Sequence, residues 1–475
     1  MTLPKIPRIS RELMACRVAA EIQPGHVVHL GPGLPEMVPP YVLPSRGAVF
    51  HSGNGVLGFG PRPEHDIGDA QLVGSGGRTV TLLPGASIVD QATSFGLLRG
   101  GLVDVGIVEA SQVSETGDLV GPVEMDGGMG SHAAATDVAE GAKLVIAMME
   151  HTTRNRSPRI VTRTDYPVAA RGCVDLIITD VAVIQVTPQG LVVREVARGW
   201  NLSDVQAITD PHLSPAPDMG YMSFWMMGGD LPSKVWKSGP EAVADIPDGA
   251  TILMDGFAGP GGMAQYLIRS LREQGAKDLT LVSNTAGIAN VASFGTPPGF
   301  LTIDHSLLVE SGQVRKAIAS YPVSPRPSQP SAFEQAYKQG DAELELTPQG
   351  TLAERIRAGA FGIAAFYTPA GAGTSLAEGK ETRTIDGREY VLEQGIRADY
   401  ALIRAHKADT LGNLVYKGTS RNFNAVMAPG ARITIAEVDE IVEPGMLDPD
   451  AVVTPGAFVQ RVVQRPADFQ PYEPL

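Results

Sequence analysis

The 475-residue chain has only two cysteines, Cys16 and Cys173. Two thiols cannot build a disulfide framework or a four-cysteine zinc site, so both read as small buried apolar residues. No apolar run reaches the roughly 18–20 residues needed to cross a bilayer. The start, Met1-Thr-Leu-Pro-Lys-Ile-Pro-Arg, lacks the apolar segment of a secretory signal. Basic charge is scarce as well: 38 Lys and Arg face 52 Asp and Glu, for a net charge of −14. A chain without clustered cations is a poor binder of phosphate backbones. These deficits predict a cytoplasmic protein with neither a nucleic-acid nor a membrane partner. Phosphate-cradling Walker strings and a complete dinucleotide fingerprint are missing. His51, His65 and His132 match no zinc spacing, so neither a metal nor a bound cofactor is expected.

Glycine and proline are plentiful, 54 and 37 residues, without any short period. Many tight turns in a globular chain follow, rather than a fibre. Hydrophobic residues at 43% and charged residues at 19% exclude wholesale disorder and a coiled coil. Val27–Leu30, Thr79–Leu83, Val105–Val108 and Leu144–Met148 are short apolar runs bounded by turn residues, which predicts buried strands. Ser10–Glu21 and Ala264–Glu273 have the period of amphipathic helices. The alternation predicts an α/β fold with mainly parallel sheets.

An internal repeat sharpens this expectation. Ile22-Gln-Pro-Gly-His-Val-Val-His-Leu-Gly resembles Ile246-Pro-Asp-Gly-Ala-Thr-Ile-Leu-Met-Asp. The stretch from Thr81 echoes that from Thr280, and Asp104-Val-Gly-Ile-Val-Glu matches Asp399-Tyr-Ala-Leu-Ile-Arg. The matches keep their order, so two similar α/β domains are expected: 1–212 and 234–475. Between them, 213–233 is rich in Pro and Gly yet apolar, with Tyr221, Met222, Phe224 and Trp225. Such a linker should pack against its surroundings rather than float.

The second half also carries Phe333-Glu-Gln-Ala-Tyr, Gln349-Gly-Thr-Leu-Ala-Glu-Arg-Ile-Arg-Ala-Gly, Ala365-Phe-Tyr-Thr-Pro and Arg421-Asn-Phe-Asn. These strings resemble the A-type domain of family I CoA-transferases, the succinyl-CoA:3-oxoacid group. The first half, with Leu30-Gly-Pro-Gly-Leu-Pro, Asn54-Gly-Val-Leu-Gly-Phe, Leu83-Pro-Gly-Ala and Gly128-Met-Gly, is similar to the B-type domain. The order B then A is the reverse of the usual fused arrangement. The resemblance implies two CoA-transferase-type α/β domains with the active site between them, a coenzyme A thioester as substrate, and a homodimer or higher homo-oligomer. It also implies a glutamate nucleophile within Ser-Glu-Asn-Gly. Here that string is Ser52-Gly53-Asn54-Gly55, and glycine cannot form an acyl-enzyme.

Other departures surround the same motifs. His51 precedes Ser52, Glu109 ends a strand where the family commonly has Gly, Ser131-His132 follows the Gly128-Met129-Gly130 loop, and Asp255 replaces a Gly before Phe257. Glu109, His51 and His132 are candidate bases; each reads equally as a salt-bridged or hydrogen-bonded structural group. Gln349 and a backbone N–H of the 128–130 loop match the family's oxyanion donors, so a thioester carbonyl is expected to be polarised. Gly53, Asn54, Gly128, Gly130, Ser131, Asp255 and Phe257 are the candidate substrate and CoA contacts. Three functions follow: hydrolytic, carbon–carbon or ring-opening cleavage of a 3-oxoacyl-type CoA thioester with water activated by Glu109 and a histidine; CoA transfer through a relocated carboxylate, Glu109 or Asp255; or acyl-CoA binding without turnover. Extra Pro and Gly in Phe294–Pro330 point to a reshaped acyl pocket.

Overall fold

A computed structural model describes residues 7–60, 63, 69, 71–121, 133–224, 233–257, 260–287, 299–324 and 328–474. The chain divides into two compact units, Met1–Pro232 and Ser233–Leu475. Each is built on its own large sheet flanked by helices, as the alternating pattern predicts.

In the first unit the strand Val27–Leu30 is central. It runs parallel to Val49–Ser52 on one side and to Val103–Glu109 on the other. Ala142–Met148 and Leu176–Ile178 continue the parallel core. Val27–Leu30 is buried along its whole length, the pattern of a strand covered on both faces. The helix Arg11–Ala19 is started by Ser10, whose Oγ accepts from the Leu13 N–H.

The second unit has eight strands in its large sheet, and every neighbouring pair there is parallel. Its central strand Thr251–Met254 lies between Leu279–Thr285 and Ala398–Arg404. The amphipathic helix Gln265–Gln274 ends at Gly275 in the left-handed conformation, a favoured helix stop. A three-stranded sheet, Ala365–Thr368, Arg388–Gln394 and Thr382–Ile385, is inserted before Ala398.

The repeat is visible in the registers. His29 pairs with Gly106, and Leu253 pairs with Ala401. Asp104 accepts from the Val27 N–H at 2.8 Å; Asp399 accepts from the Thr251 N–H at 3.0 Å. Both carboxylates satisfy the amide by which the chain enters the central strand, a group with no ladder partner there.

Three expectations need correction. The strand expected at Thr79–Leu83 is Leu82–Ile88, an antiparallel edge strand. Pro84 is tolerated there because an edge leaves one row of N–H groups unpaired. Its echo with Thr280 is therefore not a structural equivalence. Leu279–Thr285 neighbours the second central strand as Val49–Ser52 neighbours the first. Finally, the expected linker begins as structure of the first unit: Leu213–Tyr221 is an edge strand parallel to Gly190–Val196, with Pro215 opposite Val193. Residues 225–232 lie outside the described residues. Among the described residues, no helix is long and apolar enough to cross a membrane.

Candidate functional site

The strand Val49–Ser52 runs into the turn Ser52–Gly55. This turn is closed by the Gly55 N–H donating to the Ser52 carbonyl at 2.9 Å. Gly55 is needed for the turn: its φ is +97°, and a Cβ there would lie 2.0 Å from the Val89 carbonyl oxygen. Gly53 differs. Its backbone lies outside the left-handed region, and a Cβ would meet only Phe95 at 3.7 Å and His29 Cε1 at 3.8 Å, ordinary contacts. The backbone therefore does not impose glycine at position 53. Asn54 is exposed, and its amide donates to the Val73 carbonyl. Ser52 Oγ accepts from the Ser75 N–H at 2.8 Å.

Beneath this turn lies a buried polar chain. His51 Nδ1 is 3.0 Å from His29 Nδ1, across neighbouring strands at the same register position. His51 Nε2 is 2.8 Å from Ser94 Oγ, and Ser94 Oγ donates to the Gly53 carbonyl at 3.1 Å. Ser94 faces the strands because it stands in the first turn of the helix Gln91–Arg99, whose N-cap Asp90 accepts from the Ala92 and Thr93 N–H groups. His51 is fully buried and His29 is 5% exposed. Burial disfavours the charged ring and pushes His29 down to about 4. Burial, then repulsion from His29, holds His51 well below the usual histidine value.

Sequence singled out His51 but missed His29 and Ser94. A signal for His29 was present: a histidine inside the apolar run Val27-Val28-His29-Leu30, buried in the structure, is uncommon enough to need a partner. Ser94 carried no such mark.

Glu109 does not join this chain. It ends its strand half-buried, and its Oε2 accepts from the Leu34 N–H at 3.0 Å. Gly33, at φ +91°, leaves room for the carboxylate; a Cβ there would come 2.1 Å from Oε2. Glu109 thus fastens the loop after the central strand. His51 is level with Gly106, two strands away and three residues earlier, so the two Cα atoms are roughly 14 Å apart from standard strand spacings. The expected pairing of Glu109 with His51 as base and orienting partner is overturned by this register. His132, Gly128, Gly130 and Ser131 lie outside the described residues.

In the second unit, Asp255 follows the central strand and is 2% exposed. Oδ1 accepts from the Phe257 N–H at 2.7 Å, and Oδ2 accepts from the Asn424 amide at 3.0 Å. Asn424 also donates to the carbonyls of Gly262 and Ser420 and accepts from the Arg404 N–H. Asp255 therefore clamps two loops together at the strand ends. Phe257 is 55% exposed beyond it. Gln349 is exposed at the first position of the helix Gln349–Ala360. Among the described residues, no group of three or more His, Cys, Asp or Glu side chains is placed to hold a metal ion.

Comparison with known proteins agrees with these motifs. Residues 11–205 and 238–465 match the coenzyme A transferase family. Over 231 residues the chain is 48% identical to a 3-oxoadipate CoA-transferase subunit from Pseudomonas putida, covering 49% of this chain and 93% of the relative. Over 230 residues it is 50% identical to a probable succinyl-CoA:3-ketoacid coenzyme A transferase subunit from Bacillus subtilis, covering 48% and 89%. Among solved structures, glutaconate coenzyme A-transferase from Acidaminococcus fermentans matches at 20% identity and a TM-score of 0.41, covering 49% of this chain and 76% of that one. With both halves matched in order, the chain belongs to the coenzyme A transferase family.

Proposed function

We propose that this chain cleaves an acyl-CoA thioester of the 3-oxoacyl type with water as the attacking group, rather than passing CoA to an acceptor acid. The observation that carries this reading is Gly53. The turn that holds it is closed by the Gly55 N–H on the Ser52 carbonyl, and the backbone at residue 53 accepts a side chain without strain. Yet the position offers no carboxylate on which CoA could be carried. The two substitutes that sequence suggests are both committed. Glu109 holds the Leu34 N–H, and Asp255 is buried between the Phe257 N–H and the Asn424 amide. A nucleophilic carboxylate needs an open face toward the thioester; Asp255, buried with both oxygens bonded, lacks it, and Glu109, half-buried, has one oxygen tied to the loop after the central strand.

Water then supplies the nucleophile. It adds to the 3-oxo carbonyl, and collapse breaks the bond to the α-carbon, releasing a carboxylic acid and a shortened CoA thioester. The leaving carbanion is an enolate of the thioester, so groups that polarise the thioester oxygen lower the barrier. Gln349 is our proposed donor, exposed at its helix start; Phe257 is the proposed aromatic contact for the substrate.

A second reading is retained on a specific observation: relatives at 48% and 50% identity carry the names of CoA-transferase subunits. Under it, CoA passes to an acid acceptor through a carboxylate other than residue 53. Incubation of acetoacetyl-CoA, 3-oxoadipyl-CoA and longer 3-oxoacyl-CoA thioesters in ¹⁸O-water, with and without succinate, separates the two. Hydrolysis predicts acceptor-independent ¹⁸O in a new carboxyl group, with CoA retained on the shortened product. Turnover only with succinate, together with a CoA adduct on the protein, establishes the transferase. Tight binding with no turnover in either arm identifies a binding protein.

A further inference from the structure

The hydrogen bonds of the buried chain fix its protons. The Gly53 carbonyl can only accept, so Ser94 gives it the hydroxyl proton. Ser94 Oγ must then accept from His51 Nε2–H. This leaves His51 Nδ1 without a proton, as the acceptor for His29 Nδ1–H. With both rings neutral, as burial keeps them, it is the one assignment that satisfies all three contacts. It leaves His29 Nε2 as a bare lone pair with no partner among the described residues. His29 Cε1, bonded to that nitrogen, is 3.8 Å from where a Cβ on Gly53 would be. A Cβ on Gly53 would thus meet the Phe95 ring and His29 Cε1, the carbon between the bonded and the unbonded nitrogen of that ring. Gly53 itself is half-buried and Asn54 exposed, so the turn above the buried rings reaches the surface.

We propose that His29 is the catalytic base, taking at Nε2 a proton from water held in the space over Gly53, with His51 and Ser94 as positioning residues that fix its tautomer. This rests on the hydrolytic reading above. In the step, a water O–H bond breaks and its proton passes to Nε2. The water oxygen bonds to the 3-oxo carbon, and the carbonyl π pair moves onto oxygen. When the adduct collapses, the carbon–carbon bond breaks and the thioester enolate takes the Nε2 proton at its α-carbon. Water and substrate account for every atom and electron. While His29 is charged, its Nδ1–H donates to neutral His51, and the chain to Gly53 polarises in the same sense. A neighbouring neutral imidazole carries part of the charge that burial would otherwise penalise.

The pair also predicts an unusual pH profile. Burial is the cause of the shift at His29; at His51 it is burial and then the His29 ring. Among the described residues, the polar groups facing the rings are each other and the Ser94 hydroxyl. The acid limb of turnover should therefore fall near pH 4, not near the ordinary histidine value.

The test compares full-length wild type with His29→Gln, His51→Gln and Ser94→Ala on the substrate panel in ¹⁸O-water. Unfolding midpoints and near-UV circular dichroism are recorded for each. His29→Gln should lower kcat by about 10²–10⁴-fold, the usual contribution of a general base, with KM little changed. Ser94→Ala should leave turnover measurable and shift the histidine tautomers, read by ¹⁵N chemical shifts of the ring nitrogens in the wild type and variant. In the wild type those shifts should show His29 protonated at Nδ1 and bare at Nε2. A folded His29→Gln variant that keeps kcat within threefold overturns the base while leaving hydrolysis standing. A proton on His29 Nε2 in the resting wild type does the same without any variant. A wild type with no water-dependent turnover overturns the hydrolytic reading, and the base with it.

Discussion

The two units solve one packing problem in opposite ways. In matched register, His29 corresponds to Leu253 and His51 to Val282. Counted from the first residues of the helices Gln91–Arg99 and Gln349–Ala360, Ser94 corresponds to Leu352. The second unit therefore buries Leu253, Val282 and Leu352 in one apolar cluster where the first buries two imidazoles and a hydroxyl. The fold does not require polar groups there. Burying them forfeits apolar contact, and their hydrogen bonds recover little net stability. A polar chain kept at a position that an apolar cluster fills equally well points to chemistry rather than to packing. The strand ends reverse the contrast. Glu109 and Met148 pair in the first unit, Arg404 and Glu437 in the second. There the second unit holds the buried charge, Glu437, fully enclosed between Arg404 and Arg465 and accepting from the Tyr266 and Leu267 N–H groups.

The sharpest way to break this comparison is to write the second unit's residues into the first. His29→Leu with His51→Val removes both partners of the buried bond together, so no polar group is orphaned, and Ser94 keeps its bond to Gly53. The double variant should fold with unchanged or raised stability and lose turnover by the same factor of about 10²–10⁴ as removal of the base. Denaturant unfolding and the ¹⁸O assay check the two halves of that statement. A destabilised double variant means the histidines serve the fold. His29→Leu alone should be the less stable protein, by about 1–3 kcal/mol, since it strands His51 Nδ1.

Next in size is Glu437→Gln. It leaves two guanidinium groups facing a neutral amide in a dry site, and such a loss costs about 3–5 kcal/mol. Glu109→Ala in the first unit removes only one hydrogen bond from a half-buried loop, about 1 kcal/mol. If Glu109→Ala instead matches His29→Gln in lost kcat, Glu109 is the base and the loop bond incidental.

Acid sharpens the contrast further. His29, His51 and His151 are buried neutral in the first unit, and burial lowers all three, His29 to about 4 and His151 to about 3. In the unfolded chain each takes a proton near pH 6.5. The unfolded state therefore binds more protons as pH falls, so stability drops below about pH 6.5, by roughly 1.4 kcal/mol per pH unit for each ring. For His29 the loss is complete near pH 4. The double variant retains only His151 of these three, and its unfolding free energy should fall less steeply between about pH 6.5 and about pH 4.5.

Much of this was legible in the sequence because it is periodic. The central strand Val27–Leu30 and the helices at Arg11–Ala19 and Gln265–Gln274 follow from apolar spacing and turn residues. The repeat Asp104/Asp399 locates equivalent strands because each carboxylate answers a backbone need. The edge strands were harder: Leu82–Ile88 and Leu213–Tyr221 contain Pro and Gly, whose ordinary meaning is a turn. The site was legible as a string and illegible as a network. Glu109 and His51 both flank strings that resemble the family's, yet strand order sets them apart. His29 and Ser94 join His51 only through sheet register and helix placement, which one sequence does not display.

The smallest expected perturbation carries the most information about residue 53. Gly53→Glu adds a side chain where the backbone already permits one and where its Cβ meets Phe95 and His29 at ordinary distances. Stability should change by no more than about 0.5 kcal/mol, since the half-buried position makes no special backbone demand and the added Cβ meets only ordinary contacts. The carboxylate would enter the space assigned to water, beside the imidazole assigned as base. Water-dependent cleavage should then fall. Incubation with a 3-oxoacyl-CoA should give a protein mass increased by CoA less water, discharged by added succinate. Such a gain makes the missing carboxylate the switch between attack by water and attack by the protein. A folded Gly53→Glu variant that forms no adduct and still hydrolyses at the wild-type rate shows that the thioester does not reach this turn. The polar triad would then need an explanation within the first unit's own architecture, despite the apolar solution in the second.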